Sequence, residues 1–134
     1  MLNDKIEKQY YKLALFDRKL KESIVEKHFK DNSLNINSIL CQKGLKADHF
    51  DFEQIYSKYV ESQYDIICLY NFEILFRPEY RFDLLSFIKE KSKTQKIAII
   101  WPGEIQKDQV IYSRPGRPDY YTHKIDNYLV YKDE

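Results

Sequence analysis

Lys19 and Lys21 lie just behind the apolar run Leu13-Ala14-Leu15-Phe16, which ends at Asp17, and Glu73 lies just behind a second run, Ile66-Ile67-Cys68-Leu69-Tyr70. Ammonium groups after one strand and a carboxylate after another are residue types that hold a phosphate and its divalent cation. Nucleotide chemistry asks for more than charge. A phosphate loop needs glycines so that backbone amides can approach the anion, and the chain has 3 glycines in all, Gly44, Gly103 and Gly116. Behind Phe16 stand Asp17-Arg18-Lys19-Leu20-Lys21-Glu22-Ser23, bulky side chains throughout, and Tyr70-Asn71 stand where an aspartate should close the second run. Lys19, Lys21 and Glu73 therefore make a weak phosphate set, for which a solvated first helical turn is the plainer account. The glycine count also excludes the dinucleotide fingerprint and the nucleophile elbow.

Other catalytic sets are weaker. His28, His49 and His123 have no metal-ligand spacing, so no metal site is expected. Asp48 and Asp51 beside His49 form an acidic patch that the entrance of a helix explains through its dipole. Cys41 and Cys68 sit in apolar contexts without a CxxC spacing and read as buried thiols, not as a disulfide, a zinc framework or a nucleophile pair. No cofactor is implied.

The least ordinary stretch runs from Trp101-Pro102-Gly103 to Tyr121. In it Pro115, Gly116 and Pro118 stiffen a loop that carries Arg114, Arg117 and Asp119 and leads into Tyr120-Tyr121. Arginine beside exposed aromatics is the mix enriched at interface hot spots and at nucleic-acid stacking sites. Trp101, Arg114, Arg117, Asp119 and Tyr120 are accordingly the candidate partner-binding residues. The alternative is a tight turn whose tyrosines pack on the sheet. A nucleic-acid reading would add Lys12, Arg18, Lys19 and Lys21 as phosphate contacts.

Elements able to position these residues are legible in the apolar pattern. A strand ending at Phe16 passes through Asp17, a good N-cap, into an amphipathic helix with Leu20, Ile24, Val25 and Phe29. A short strand is expected at Leu34–Asn37, then a helix containing Ile39 and Leu40 that ends near Gly44. A second amphipathic helix spans 51–62, a buried strand 64–70, and a third helix carries Phe82 to Ile88 with Lys89, Lys91 and Lys93 in its last turn. Ile97 to Trp101 is the most hydrophobic strand. Val110–Tyr112 and Tyr128–Tyr131 read as further strands around the turn-rich loop. Apolar strands separated by helices, without alternation in the central ones, imply an α/β fold: three layers, with a mostly parallel sheet of about five strands flanked by helices.

The 134 residues suit a single α/β domain over 1–134. With 22 Lys+Arg against 21 Asp+Glu, the net charge is +1, which provides no global attraction for nucleic acid. The charges fall in blocks, basic over 1–46 and acidic over 47–91, as solvated helix faces or as patches that orient an assembly. Apolar runs of about five residues are far short of a membrane span, and the N-terminal residues lack a signal-peptide core, so a cytoplasmic protein without membrane contact is expected. The 16% aromatic content is high.

The second half resembles a known family. Asp65-Ile66-Ile67-Cys68-Leu69-Tyr70-Asn71-Phe72-Glu73-Ile74-Leu75-Phe76, Leu84-Leu85, Ile99-Ile100-Trp101-Pro102-Gly103, Val110-Ile111-Tyr112 and Arg114-Pro115-Gly116-Arg117-Pro118-Asp119-Tyr120 resemble the small P-loop-containing component of type 3 BREX bacteriophage-exclusion systems. The likeness covers residues 64–121, and upstream the family's strand, P-loop and helix are matched in kind by Lys12 to Phe29, without the phosphate loop. It implies a RecA/AAA-like sheet and a role in prokaryotic antiviral defence beside larger protein components, with nucleic acid reached through those partners. The missing loop implies a non-catalytic pseudo-NTPase subunit acting by protein-protein contacts. A nucleic-acid-binding accessory module and a divergent nucleotide-binding enzyme are the alternatives.

Overall fold

The computed structural model describes residues 2–43, 52–59 and 65–132. Five strands, β1 (Leu13–Asp17), β2 (Ser33–Asn35), β3 (Ile66–Tyr70), β4 (Lys96–Trp101) and β8 (Leu129–Tyr131), form one sheet in the order β2-β3-β4-β1-β8. Every pairing in it is parallel. The central strands β1, β3 and β4 are the three apolar runs of the sequence. Their successive side chains enter cores on opposite faces, because alternate residues of a strand point to opposite sides.

Leu13, Leu15, Ile67, Leu69, Ile97 and Ile99 face one core. It is covered by α3 (Ile36–Lys43), α4 (Phe52–Tyr59) and α5 (Leu84–Lys91). Ala14, Phe16, Cys68, Ala98 and Ile100 face the other, where Ile6 of α1 (Leu2–Glu7) joins Ile24 and Phe29. The connection from β1 to β2 crosses the sheet in one direction and the later connections in the other. With right-handed crossovers they must lie on opposite faces, as the two cores require. The α/β fold with helices on both faces of a mostly parallel sheet is therefore present.

Local structure departs from the sequence expectation in three places. The helix after β1 is composite: a 3-10 turn (Arg18–Leu20), α2 (Lys21–Ser23) and a π turn (Ile24–His28). Ile24 and Phe29 both reach the core, and a spacing of five is in phase only when a wider turn intervenes; the Phe29 amide donates to the Ile24 carbonyl at 3.0 Å. The third helix starts only at Leu84, where Asp83 caps it, and two 3-10 turns (Glu73–Phe76 and Pro78–Tyr80) precede it. Cys41, expected to be buried, is exposed, because Ile36, Ile39 and Leu40 form the inward stripe of α3 and the next residue turns outward. Residues 60–64, Gly44 and the Asp48, His49 and Asp51 patch lie outside the described residues.

A second sheet stands on the carboxyl edge of the first. β5 (Glu104–Ile105), β6 (Gln109–Tyr112) and β7 (Tyr121–Lys124) pair antiparallel in chain order. β7 was not expected from the sequence. Two residues fasten this sheet to β4. The Trp101 indole N–H donates to the Ile111 carbonyl at 3.0 Å, and a Cβ on Gly103 would lie 2.0 Å from that same oxygen. Gly103 is there because the backbone of β6 leaves no room for a side chain.

Two outcomes follow from this packing. Gly103→Ala lowers stability by roughly 1–3 kcal/mol through overpacking, read as a lower urea midpoint at unchanged slope; an unchanged midpoint would mean that β6 does not pass this close. Burial pushes the Cys68 thiol up to about 12, so a native thiol titration labels Cys41 alone, and Cys41→Ser leaves the folded protein unreactive until it is denatured.

Candidate functional site

Ligands of an open parallel sheet gather at the carboxyl ends of strands where neighbouring connections leave on opposite faces. Here that place is between β1 and β4, which are paired from Leu13↔Ile97 to Asp17↔Trp101. A cleft of about 190 Å³ lies there, lined by Arg18 and Lys21 after β1, Asn71 and Glu73 after β3, and Ile100 and Pro102 of β4 and its end. The structure thus brings Lys21 and Glu73 together, while Lys19 does not line the cleft.

The polar groups at the ends of β1 and β3 find partners within the chain. Where free backbone amides would have to receive a phosphate, the Asp17 carboxylate accepts from the Lys19 amide at 2.9 Å, placing a negative group at the helix entrance. Arg18 turns back to donate from Nη1 to the Pro102 carbonyl at 3.3 Å. At the end of β3, Asn71 Oδ1 accepts from Lys21 Nζ at 2.6 Å, so an ammonium already occupies the side where a carboxylate would hold a divalent cation. The same ammonium lies 5.5 Å from the Tyr70 ring centroid. Asn71 itself is left-handed, with φ 52°, and its carbonyl accepts from the Asn37 amide at 2.8 Å.

Two larger clefts continue from this point. One of about 450 Å³ shares Asn71 and Glu73 and extends to Arg77, Tyr112 and Asp119. The other, about 560 Å³, shares Arg18 and is lined also by Glu104, Arg114, Arg117 and Asp119. Between them they place the ends of β1, β3 and β4 and the loop after β6 along one edge.

That loop is held in shape by its own hydrogen bonds. The Arg117 amide donates to the Arg114 carbonyl and the Tyr120 amide to the Arg117 carbonyl, both at 3.1 Å, and the Ser113 hydroxyl donates to Asp119 at 2.6 Å. Ser113 and Gly116 take left-handed φ values of 68° and 89°. Arg114 and Arg117 are exposed, Asp119 is half-buried, and Tyr120 is 41% exposed. Trp101 is different: it is fully buried, packed among Phe72, Phe76 and Tyr121. It holds the loop from beneath and presents no surface to a partner, in contrast to its expected place among the contact residues.

Several described acidic residues of the middle of the chain are engaged within the protein. Glu53 pairs with Lys91 at 2.6 Å and Asp65 with Lys96 at 3.2 Å. Among the described residues no three His, Cys, Asp or Glu side chains assemble as a metal site, and no helix is long and apolar enough to cross a membrane. Comparison with family models, curated proteins and solved structures gives no match.

One polar cluster was missed from the sequence. Asp83 accepts from the Tyr121 hydroxyl and from Ser86 Oγ at 2.8 Å, the Leu85 amide donates to the Tyr121 hydroxyl at 3.0 Å, and His123 Nδ1 lies 4.0 Å from Asp83. The cluster ties the start of α5 to β7. The cap at Asp83 is readable just before Leu84, but its partners Tyr121 and His123 depend on β7. Burial would raise the Asp83 carboxyl, and the Tyr121 and Ser86 hydrogen bonds with the nearby imidazole hold it below its ordinary 3.8. Burial and the Lys89 ammonium lower His123 below 6.5, against the pull of Asp83 and Asp126.

These shifts separate two pH windows. Because folded His123 resists protonation, the unfolded chain takes up more protons as pH falls through about 6.5, and stability declines there. The depressed Asp83 acts lower: its contribution is complete above about 4 and is lost only as pH drops through its folded value. Urea midpoints at pH 7.5 and 5.5 check the first: the native chain loses stability over this interval, and His123→Gln loses less. Equal losses would remove His123 from the account.

Proposed function

We propose that this chain is a non-catalytic subunit, a pseudo-NTPase, of a prokaryotic antiviral defence complex, and that it acts through protein-protein contacts made at the carboxyl edge of its sheet. The observation that carries this reading is a contrast along that edge. At the β1 end, the groups a nucleotide would need are replaced or engaged: Asp17 caps the helix, Arg18 binds Pro102 and Lys21 binds Asn71. At the other end, a rigid loop presents Arg114, Arg117 and Tyr120 outward.

The parallel order β2-β3-β4-β1-β8, with β1 internal, supports a RecA/AAA-like sheet without its phosphate loop. The likeness to the small type 3 BREX component, which spans β3 to the loop, supplies the defence context and larger protein components as partners. A divergent nucleotide-binding enzyme would draw on Lys21 and Glu73 in one cleft, a site already bridged by the Lys21–Asn71 bond.

Purification of the tagged chain from its native host tests the reading. A stoichiometric protein partner is recovered, and the double change Arg114→Ala with Arg117→Glu removes it while leaving the melting temperature unchanged. Mg-ATP causes no thermal shift, whereas saturation near 100 times a dissociation constant would stabilise by about 2.7 kcal/mol. Partner recovery indifferent to both arginines, or a clear Mg-ATP shift, overturns the proposal.

A further inference from the structure

We propose that the cleft of about 560 Å³ between the end of β1 and the 113–119 loop receives an acidic segment of a partner protein, with Arg18, Arg114 and Arg117 binding its carboxylates. This rests on the docking reading above and gives the partner a chemistry. Arg18 is distant from the two loop arginines in sequence. It reaches them because Asp17 is in register with Trp101, and Trp101 in turn holds β6, from which the loop leaves.

The three guanidinium groups are prepared for such a role to different degrees. Arg18 is anchored by one donor on the Pro102 carbonyl, which fixes its position and leaves its other N–H groups free to bind. Arg114 and Arg117 have no side-chain partner among the described residues, yet the backbone carrying them is held by two consecutive turns and by the Ser113–Asp119 bond. Planar forks on a stiff frame suit bidentate binding of carboxylate, and little ordering remains to be done on association.

The walls select among anions. Glu104 and Asp119 line the same cleft, so a continuous polyphosphate would meet carboxylates as well as arginines. The chain's net charge of +1 adds no long-range attraction for nucleic acid. A peptide carries backbone N–H groups beside its acidic side chains, and the Glu104 and Asp119 carboxylates can accept from these. Tyr120 on the same loop supplies an exposed aromatic surface of the kind that anchors peptides.

Nuclear magnetic resonance of the full chain tests the assignment through the side-chain Nε–H signals of the arginines. The probes are a short synthetic peptide with a Glu-Asp-Glu centre, its Gln-Asn-Gln counterpart and an oligothymidylate of similar length. The acidic peptide shifts the signals of Arg18, Arg114 and Arg117, the amide counterpart does not, and high salt weakens the effect. Arg18→Ala and Arg114→Ala, both at exposed positions, each weaken binding by about tenfold. Unmoved signals with the acidic peptide overturn the assignment, as does tighter binding of the oligothymidylate, which would make a phosphate polymer the occupant. The wider reading fails separately: partner capture that depends on Arg114 and Arg117 but not on Arg18 overturns the cleft alone, and capture indifferent to all three overturns docking at this edge.

Discussion

The carbonyl oxygen of Ile111 holds the two sheets together. It accepts the Trp101 indole N–H and lies against the bare Cα of Gly103, so the end of β4 and the middle of β6 are joined at one atom. The bond forms among packed aromatic rings, where a hydrogen bond is strong and an unpaired donor costly. Trp101 therefore has a single good orientation, and through it β6 has a single good position. The loop after β6, held by its own turns, thereby leaves from a fixed strand.

From that fastening the electrostatics of the edge follow. Parallel pairing places the ends of β1, β3 and β4 level with one another, and the small sheet adds the loop arginines beside them. Arg18, Arg77, Arg114 and Arg117 then share an edge with Glu73, Glu104 and Asp119. Mixed signs at this density discriminate between partners by arrangement more than by total charge. Nearest β1, Asp17 and Lys21 are satisfied internally and Arg18 gives one donor to the Pro102 carbonyl, while Arg114 and Arg117 have no side-chain partner among the described residues.

Much of the fold was legible because the central strands are buried on both faces and announce themselves as continuous apolar runs. The Asp17 cap was equally plain. Three things were not. The π turn depends on which of Ile24, Val25 and Phe29 the sheet demands, and that is a tertiary choice. β7 reads Tyr-Thr-His-Lys, a half-exposed strand whose polar members conceal it, and with β7 hidden the Asp83 cluster could not be foreseen. The meeting of Arg18 with Arg114 and Arg117 requires the β1–β4 register, which no local pattern contains. Trp101 shows the opposite error: its unusual Trp-Pro-Gly setting suggested a surface role, and the same rarity is explained by a close backbone approach from beneath.

Scarcity of glycine connects these observations. With 3 glycines in 134 residues, tight turns fall to other residues, and Asn71, Arg81, Ser113 and Asn127 all adopt positive φ. Such conformations are costly for side-chain-bearing residues and persist where surrounding bonds over-determine them. Asn71 is held by Lys21 and Asn37, and Ser113 by Asp119, and both line the clefts of the carboxyl edge. Residues other than glycine at these turns also reduce the freedom of the unfolded chain. Turns held in this way leave little backbone freedom to lose on association.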